Sequence, residues 1–184
     1  MAKEIITTER LILRKWTRKD IEPFAEMNAD ADVMKYFPKT LSKIETVESV
    51  RRITKHFQEH GFGLFAVEEK KSKTFIGFTG FAIPTFESDF TPCIEIGWRY
   101  KKEYWGKGLA TEAALACLQF GFRELKFDKV VSFTAKVNTP SEKVMQRIGM
   151  NYAKDFLHPK VDIDSVLCNH VLYELNSLEF LYRK

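Results

Sequence analysis

Cysteine is scarce in this chain, and its placement is uninformative for cross-linking. Cys93, Cys117 and Cys168 are odd in number, widely spaced and outside any C-x-x-C pair. They read as buried or idle thiols in a reducing cytoplasm rather than as a disulfide framework. Long apolar runs are missing too, so nothing approaches a membrane span. The start, Met1-Ala2-Lys3-Glu4, lacks the apolar core of a signal peptide. The expectation is a cytoplasmic protein with no membrane partner. Charge of one sign is not in large excess: 29 Lys and Arg against 25 Asp and Glu give +4. That balance suits an anionic ligand weakly and gives no basis for nucleic-acid binding. No repeat, low-complexity tract or linker interrupts the 184 residues, which read as one domain over 1–184. A hydrophobic content of 45% is enough for a soluble globular core.

What is present is organised around residues 93–122. Cys93 to Tyr100 is rich in β-branched and aromatic residues and reads as a strand. Lys101 to Gly108 breaks it, and Leu109 to Phe120 is alanine- and leucine-rich, hence helical. Gly106 and Gly108 allow a tight turn and close approach of a ligand. The first N–H groups of the helix lack intrahelical partners and lie at its positive end, which makes a phosphate site. Lys101, Lys102 and Lys107 would add positive charge. The loop is neither Walker A nor the dinucleotide fingerprint, because Thr111 stands where the third glycine of the latter belongs.

Along the rest of the chain, Leu11–Trp16 reads as a strand and Thr17 as a helix cap with Asp20 in the capping-box position. Ile21, Phe24, Ala25 and Asn28 share one face of that helix. Residues 44–60 have helical spacing that ends at Gly61. Residues 63–68 and 74–81 form a hairpin across Lys70–Lys73. Lys129–Val137 is a strand, a helix runs from the Asn138-Thr139-Pro140-Ser141-Glu142 segment to Ile148, and 150–156 and 166–175 are the last strands. The alternation indicates an α/β protein with a mixed sheet. Thr139 as N-cap, Pro140 at N1 and Glu142 at N3 would start the late helix.

Glu103-Tyr104-Trp105-Gly106-Lys107-Gly108-Leu109-Ala110-Thr111-Glu112-Ala113 resembles the acyl-CoA pyrophosphate loop of the GNAT acetyltransferase superfamily. It is closest to the Rim-type subgroup, which includes ribosomal-protein N-terminal acetyltransferases. Glu103 departs from the Gln or Arg usual there and receives no role. Asn138 to Met150 is a second match, to the Rim-type N-x-x-S…V…G-F segment, with Met150 in place of the aromatic. The resemblance implies a GNAT-like, mixed and mostly antiparallel central sheet flanked by helices on both faces. It implies acetyl-CoA as co-substrate and no metal. Cofactor contacts fall on Gly97, Trp98, Tyr104, Trp105, Gly106, Lys107, Gly108, Leu109, Ala110, Asn138 and Ser141, with the backbone N–H groups from Tyr104 to Leu109 cradling the pyrophosphate. Tyr36 and Phe37 would line the acceptor cleft; two aromatics packed under a loop is the structural alternative. Many members carry a tyrosine general acid where this chain has Met145, which raises Ser141 as proton donor to the CoA sulfur.

Glu95 shares a strand face with Cys93, Gly97 and Arg99. An amine nucleophile needs a proton acceptor beside the thioester, and the superfamily commonly takes a carboxylate from this strand. The alternative for Glu95 is a salt bridge to a neighbouring strand. The implied reaction is direct acetyl transfer to a primary amine, of a peptide or a small molecule, in a ternary complex. A non-catalytic acyl-CoA-binding module on the same fold is the alternative function. His56-Phe57-Gln58-Glu59-His60 fits H-x-x-E-H, a zinc-hydrolase motif, although no downstream ligand accompanies it. The acceptor and the oligomeric state are not legible.

Overall fold

The computed structural model describes residues 4–182. Its strands form a mixed sheet in the order β1-β2-β3-β4-β5-β6-β8-β7. They are β1 (Glu4–Thr7), β2 (Leu11–Arg14), β3 (Leu64–Glu69), β4 (Thr74–Ala82), β5 (Glu95–Tyr100), β6 (Lys129–Ala135), β7 (Asn151–Leu157) and β8 (Asn169–Asn176). β1–β2, β2–β3, β3–β4, β6–β8 and β7–β8 pair antiparallel, and β5–β6 pairs parallel. The helices are α1 (Ile21–Ala29), α2 (Lys43–His60), α3 (Leu109–Arg123), α4 (Thr139–Arg147) and α5 (Ser177–Leu181). This is the mixed, mostly antiparallel architecture expected from the sequence. None of the described helices is long and apolar enough to cross a membrane.

The chain separates into two compact units. One is the chain up to Ala82 with Gly97–Cys117, and the other is Ile83–Ile96 with the chain from Leu118 onward. In the first, α1, the turn that follows it and the β3–β4 hairpin supply a core of Phe24, Met27, Val33, Ala66, Phe75 and Phe78, against which Trp16, Val50 and Leu64 pack. The Trp16 indole N–H, which would be costly to bury unpaired, donates to the Leu64 carbonyl at 2.7 Å. Arg14 makes two 2.8 Å bonds to the buried Asp20 carboxylate and a third, at 3.0 Å, to Glu68. Burial alone would raise the Asp20 pKa, but Arg14 and Thr17 outweigh it and hold the carboxyl below its usual range. The Thr17–Asp20 capping box is present, but it opens a 3-10 turn at Arg18–Asp20 ahead of α1. Ser42 and Glu45 form a second box that starts α2. In the other unit, β6 pairs with β8 without a bulge from Lys129↔Asn176 to Ala135↔His170. Val130, Leu175 and Ile148 are fully buried there.

Three sequence expectations change. The organising strand begins at Glu95, so Cys93 lies outside it. β1 and α5 are additional elements. The N-cap of α4 is Asn138, not Thr139: its side-chain oxygen accepts from the Ser141 N–H, and proline follows within the first two helical positions. Asn and Thr are both good caps, and the neighbouring residue with the better reach won.

Candidate active site

The glycine loop belongs to the first unit. After a 3-10 turn at Lys102–Tyr104, Gly106 and Gly108 take φ of 71° and 75°, left-handed values that glycine tolerates best. A Cβ on Gly106 would meet nothing within 4 Å, and one on Gly108 only the Arg10 Nη2 at 3.7 Å. The turn uses the Tyr104 and Trp105 N–H groups itself, on the carbonyls of Lys101 and Lys102 at 3.0 and 3.1 Å. Of the donors expected in the phosphate cradle, those two are engaged within the turn. No acceptor among the described residues engages the N–H groups of Gly106, Lys107, Gly108, Leu109 and Ala110. Five adjacent donors at the start of a 15-residue helix, fronted by open space, fit a pyrophosphate.

The positive charge at the loop is smaller than the sequence suggests. Lys102 pairs with Asp32, and Lys101 lies 3.9 Å from Glu26, while Lys107 extends over the Tyr104 ring at 5.2 Å. Arg10 is a residue that sequence reasoning missed. Its guanidinium donates to the Lys107 carbonyl at 2.9 Å and pairs with Glu112 at 2.5 Å, so it ties the loop to the first turn of α3. Glu112 also accepts from the Thr8 hydroxyl and the Arg10 N–H. Burial would raise its pKa, yet these donors hold it low. The partners lie about a hundred positions away in the chain, beyond any local pattern. Arg10→Ala should weaken CoA binding about fivefold, near 1 kcal/mol, because the pair is partly exposed. Isothermal calorimetry with CoA checks this.

Tyr36 is half-buried beside Lys35, whose ammonium stands 5.6 Å from the ring centroid. Phe37 is exposed and stacks on the Arg99 guanidinium, with Cζ 4.0 Å from its centroid.

The second unit carries the candidate chemical groups. Glu95 pairs in register with Val131, the Val131 N–H donates to the Ile94 carbonyl at 2.8 Å, and the Ser132 hydroxyl donates to the Ile96 carbonyl at 2.9 Å. No cation or hydrogen-bond donor among the described residues engages the Glu95 carboxylate, so the salt-bridge alternative finds no partner there. Burial pushes its pKa up to about 8. Cys93 is a protonated thiol at neutral pH, pushed up to about 11 by burial and then by the charge of Glu95. Asn138 is buried, and its amide nitrogen donates to Thr134 Oγ1 at 2.9 Å and to Ser141 Oγ at 3.1 Å. Because Ser141 Oγ accepts that bond, its own proton stays available for donation. Met145 is buried and offers no acid. A patch of half-buried rings also gathers here, with Phe86, Phe90, Phe133 and Phe156 around His158 and His170. Burial first, and then His170, pushes His158 down to about 4. The sequence places Phe133, Phe156 and His170 on strands but does not bring these rings together.

The H-x-x-E-H motif is placed at the end of α2. The His56 Nδ1 lies 2.8 Å from the Phe62 carbonyl, and its ring packs on that of His60 at 4.5 Å. No group of three or more metal-ligating side chains is assembled among the described residues.

Comparison with known proteins supplies what geometry leaves open. A solved spermidine N-acetyltransferase from Vibrio cholerae, in complex with CoA and spermine, shares the fold with a TM-score of 0.76 and only 19% identity, over 95% of this chain and 99% of that one. A GNAT-family acetyltransferase from Bacillus anthracis superposes with a TM-score of 0.77 at 30% identity, over 94% of this chain and 98% of its own. YnaD of Bacillus subtilis (strain 168), an uncharacterized N-acetyltransferase, is 32% identical over 145 residues, 79% of this chain and 81% of that protein. A family model described as an acetyltransferase (GNAT) domain matches residues 10–151, a span that takes in the glycine loop, Glu95 and Ser141. The chain belongs to the GNAT acetyltransferase family.

Proposed function

We propose that residues 1–184 form a single Rim-type acetyltransferase domain that works in the cytoplasm and moves an acetyl group from acetyl-CoA to a primary amine by direct transfer. The observation that carries this reading is Glu95, a carboxylate with no counter-charge whose pKa is pushed up to about 8. A proton acceptor works best when its pKa lies near the working pH. Acetyl-CoA, when bound, supplies an activated thioester, and the free N–H groups from Gly106 to Ala110 are the residues that would hold its pyrophosphate. Glu95 then takes the proton that the amine must lose. Backbone N–H groups near Gly97 and Trp98 stabilise the developing oxyanion. Ser141, oriented by Asn138, presents its hydroxyl proton towards the leaving sulfur. Tyr36 and Phe37 border the acceptor. The three cysteines are free, which suits a reducing compartment.

Acetyl-CoA consumption, with the product identified by mass, across peptides, amino acids, aminoglycosides and polyamines tests this reading. CoA binding without transfer to any amine would favour a non-catalytic acyl-CoA-binding module. Cys93→Ala is expected to retain activity within about twofold, since a thiol this weakly acidic is a poor nucleophile. A dead Cys93→Ala that still binds CoA would indicate an acetyl-cysteine intermediate instead.

A further inference from the structure

Arg99 on β5 is held as if for an anion that the protein does not supply. Its Nε is sealed from solvent and has no partner. Its Nη1 donates to Asn28 Oδ1 at 2.6 Å, its Cζ lies 4.0 Å from the Phe37 centroid and 5.4 Å from that of Phe78, and no carboxylate among the described residues pairs with it. Asn28 is fully buried and is itself fixed, its amide nitrogen donating to the equally buried Thr46 hydroxyl at 3.1 Å. The guanidinium is thus braced on one side by a neutral amide and covered by an aromatic ring that is exposed to solvent. Behind it, a Cβ on Gly77 would come within 2.2 Å of the Arg99 carbonyl, so the backbone there has little freedom to move. Burial lowers the Arg99 pKa to about 10, which still leaves it a cation at neutral pH.

A half-buried guanidinium without a counter-charge, one of whose donors is sealed and orphaned, is costly to keep. A purely structural tie between β5 and α1 would need only a neutral donor to Asn28. A fork of N–H groups on a fixed cation matches a carboxylate.

We propose that Arg99 is a specificity-determining residue that binds a carboxylate on the amine acceptor, with Phe37 as the movable cover and Asn28 as the positioning residue. This deepens the acetyltransferase reading and rests on it. The acceptor class becomes amino acids and compounds that carry both an amine and a carboxylate, and polycationic amines are repelled by the same charge.

The test pairs acceptors that differ in one group: glycine, β-alanine, γ-aminobutyrate and ε-aminocaproate, each beside its carboxamide, with spermidine as the polycation. For the best-matched length, the wild-type kcat/KM should favour the carboxylate by about tenfold or more, mainly through KM. In Arg99→Gln that preference should fall to near unity. Comparing the preference between the two proteins cancels any difference in intrinsic amine reactivity. Arg99→Lys should keep part of the preference, and CoA titration of each variant shows whether it is folded. Calorimetric binding of the same pairs to the CoA complex reads the proposal even if nothing is acetylated, so failure of catalysis and failure of anion binding stay distinct. Equal use or binding of carboxylate and carboxamide by wild type would overturn it. So would a preference that survives in Arg99→Gln, or spermidine as the best acceptor.

Discussion

Glu95→Gln is expected to lower kcat by about 10²–10⁴ at neutral pH, the usual cost of removing a general base. The amide keeps the shape of the side chain but cannot take a proton, so CoA affinity should change little. The pH profiles distinguish this from simple damage. With its pKa at about 8, Glu95 is mostly protonated at neutral pH, and wild-type activity should rise up to about pH 8 and then level. The variant depends on the fraction of amine already neutral and should keep rising towards the pKa of the amine, about 10 for a lysine-like acceptor. The gap is therefore widest at or below about pH 8 and narrows above it.

Stability offers a second readout of the same group. The folded pKa of Glu95 lies above its unfolded value of about 4.3, so the folded state binds the extra proton. Stability is then fully present below about pH 4 and falls as pH rises, until the loss is complete above about 8. Glu95→Gln removes this dependence, so the variant should match wild type in acid and melt higher at about pH 8. Full activity in Glu95→Gln, or a wild-type profile flat across about pH 6–9, would remove Glu95 from the mechanism.

The parts of this protein legible in its sequence are those set by short-range chemistry. Two glycines between a strand and an alanine-rich helix could serve little else than a turn with left-handed φ, and Gly106 and Gly108 both adopt it. The hairpin from β3 to β4 and the stop of α2 at Gly61 follow from the same local rules. β1 was missed because Glu4–Thr7 has only two apolar residues and is recognisable mainly through its pairing with β2. α5, at five residues, is too short to show a period. In the site, residue types were legible and their engagements were not. Lys101 and Lys102 read as free charge until Glu26 and Asp32, some seventy positions away, were seen beside them. Asn138 gave its resemblance to a cofactor ligand, while its amide is occupied by Thr134, Ser141 and the start of α4. Arg99 was visible only as one member of a strand face. Its missing counter-charge is a property of the whole first unit, and no window of sequence contains it.

Gly106→Val should abolish tight CoA binding while the protein stays folded. At a φ of 71° a branched residue is strained, at a cost of about 1–2 kcal/mol, within the 5–15 kcal/mol that typically holds a domain. No protein atom lies within 4 Å of the added Cβ, so no clash adds to that strain. What the valine adds is bulk in open space on the turn that leads into the free N–H groups beginning α3. Hydrogen bonds to a charged group contribute about 1.5–3 kcal/mol each, and losing two of them raises the CoA dissociation constant by about 10²–10⁴. Gly108→Val should behave alike, with the added nuisance of Arg10, whose Nη2 lies 3.7 Å from the new Cβ. Gly106→Ala carries the same backbone strain with less bulk, so it separates a distorted turn from a blocked one. Pantetheine, which lacks the pyrophosphate, sharpens the comparison further. Calorimetry should find it bound with similar weak affinity by wild type and both valine variants, because the valine blocks only the hydrogen bonds to phosphate. Wild-type affinity for CoA in either valine variant would move the phosphate site away from this loop.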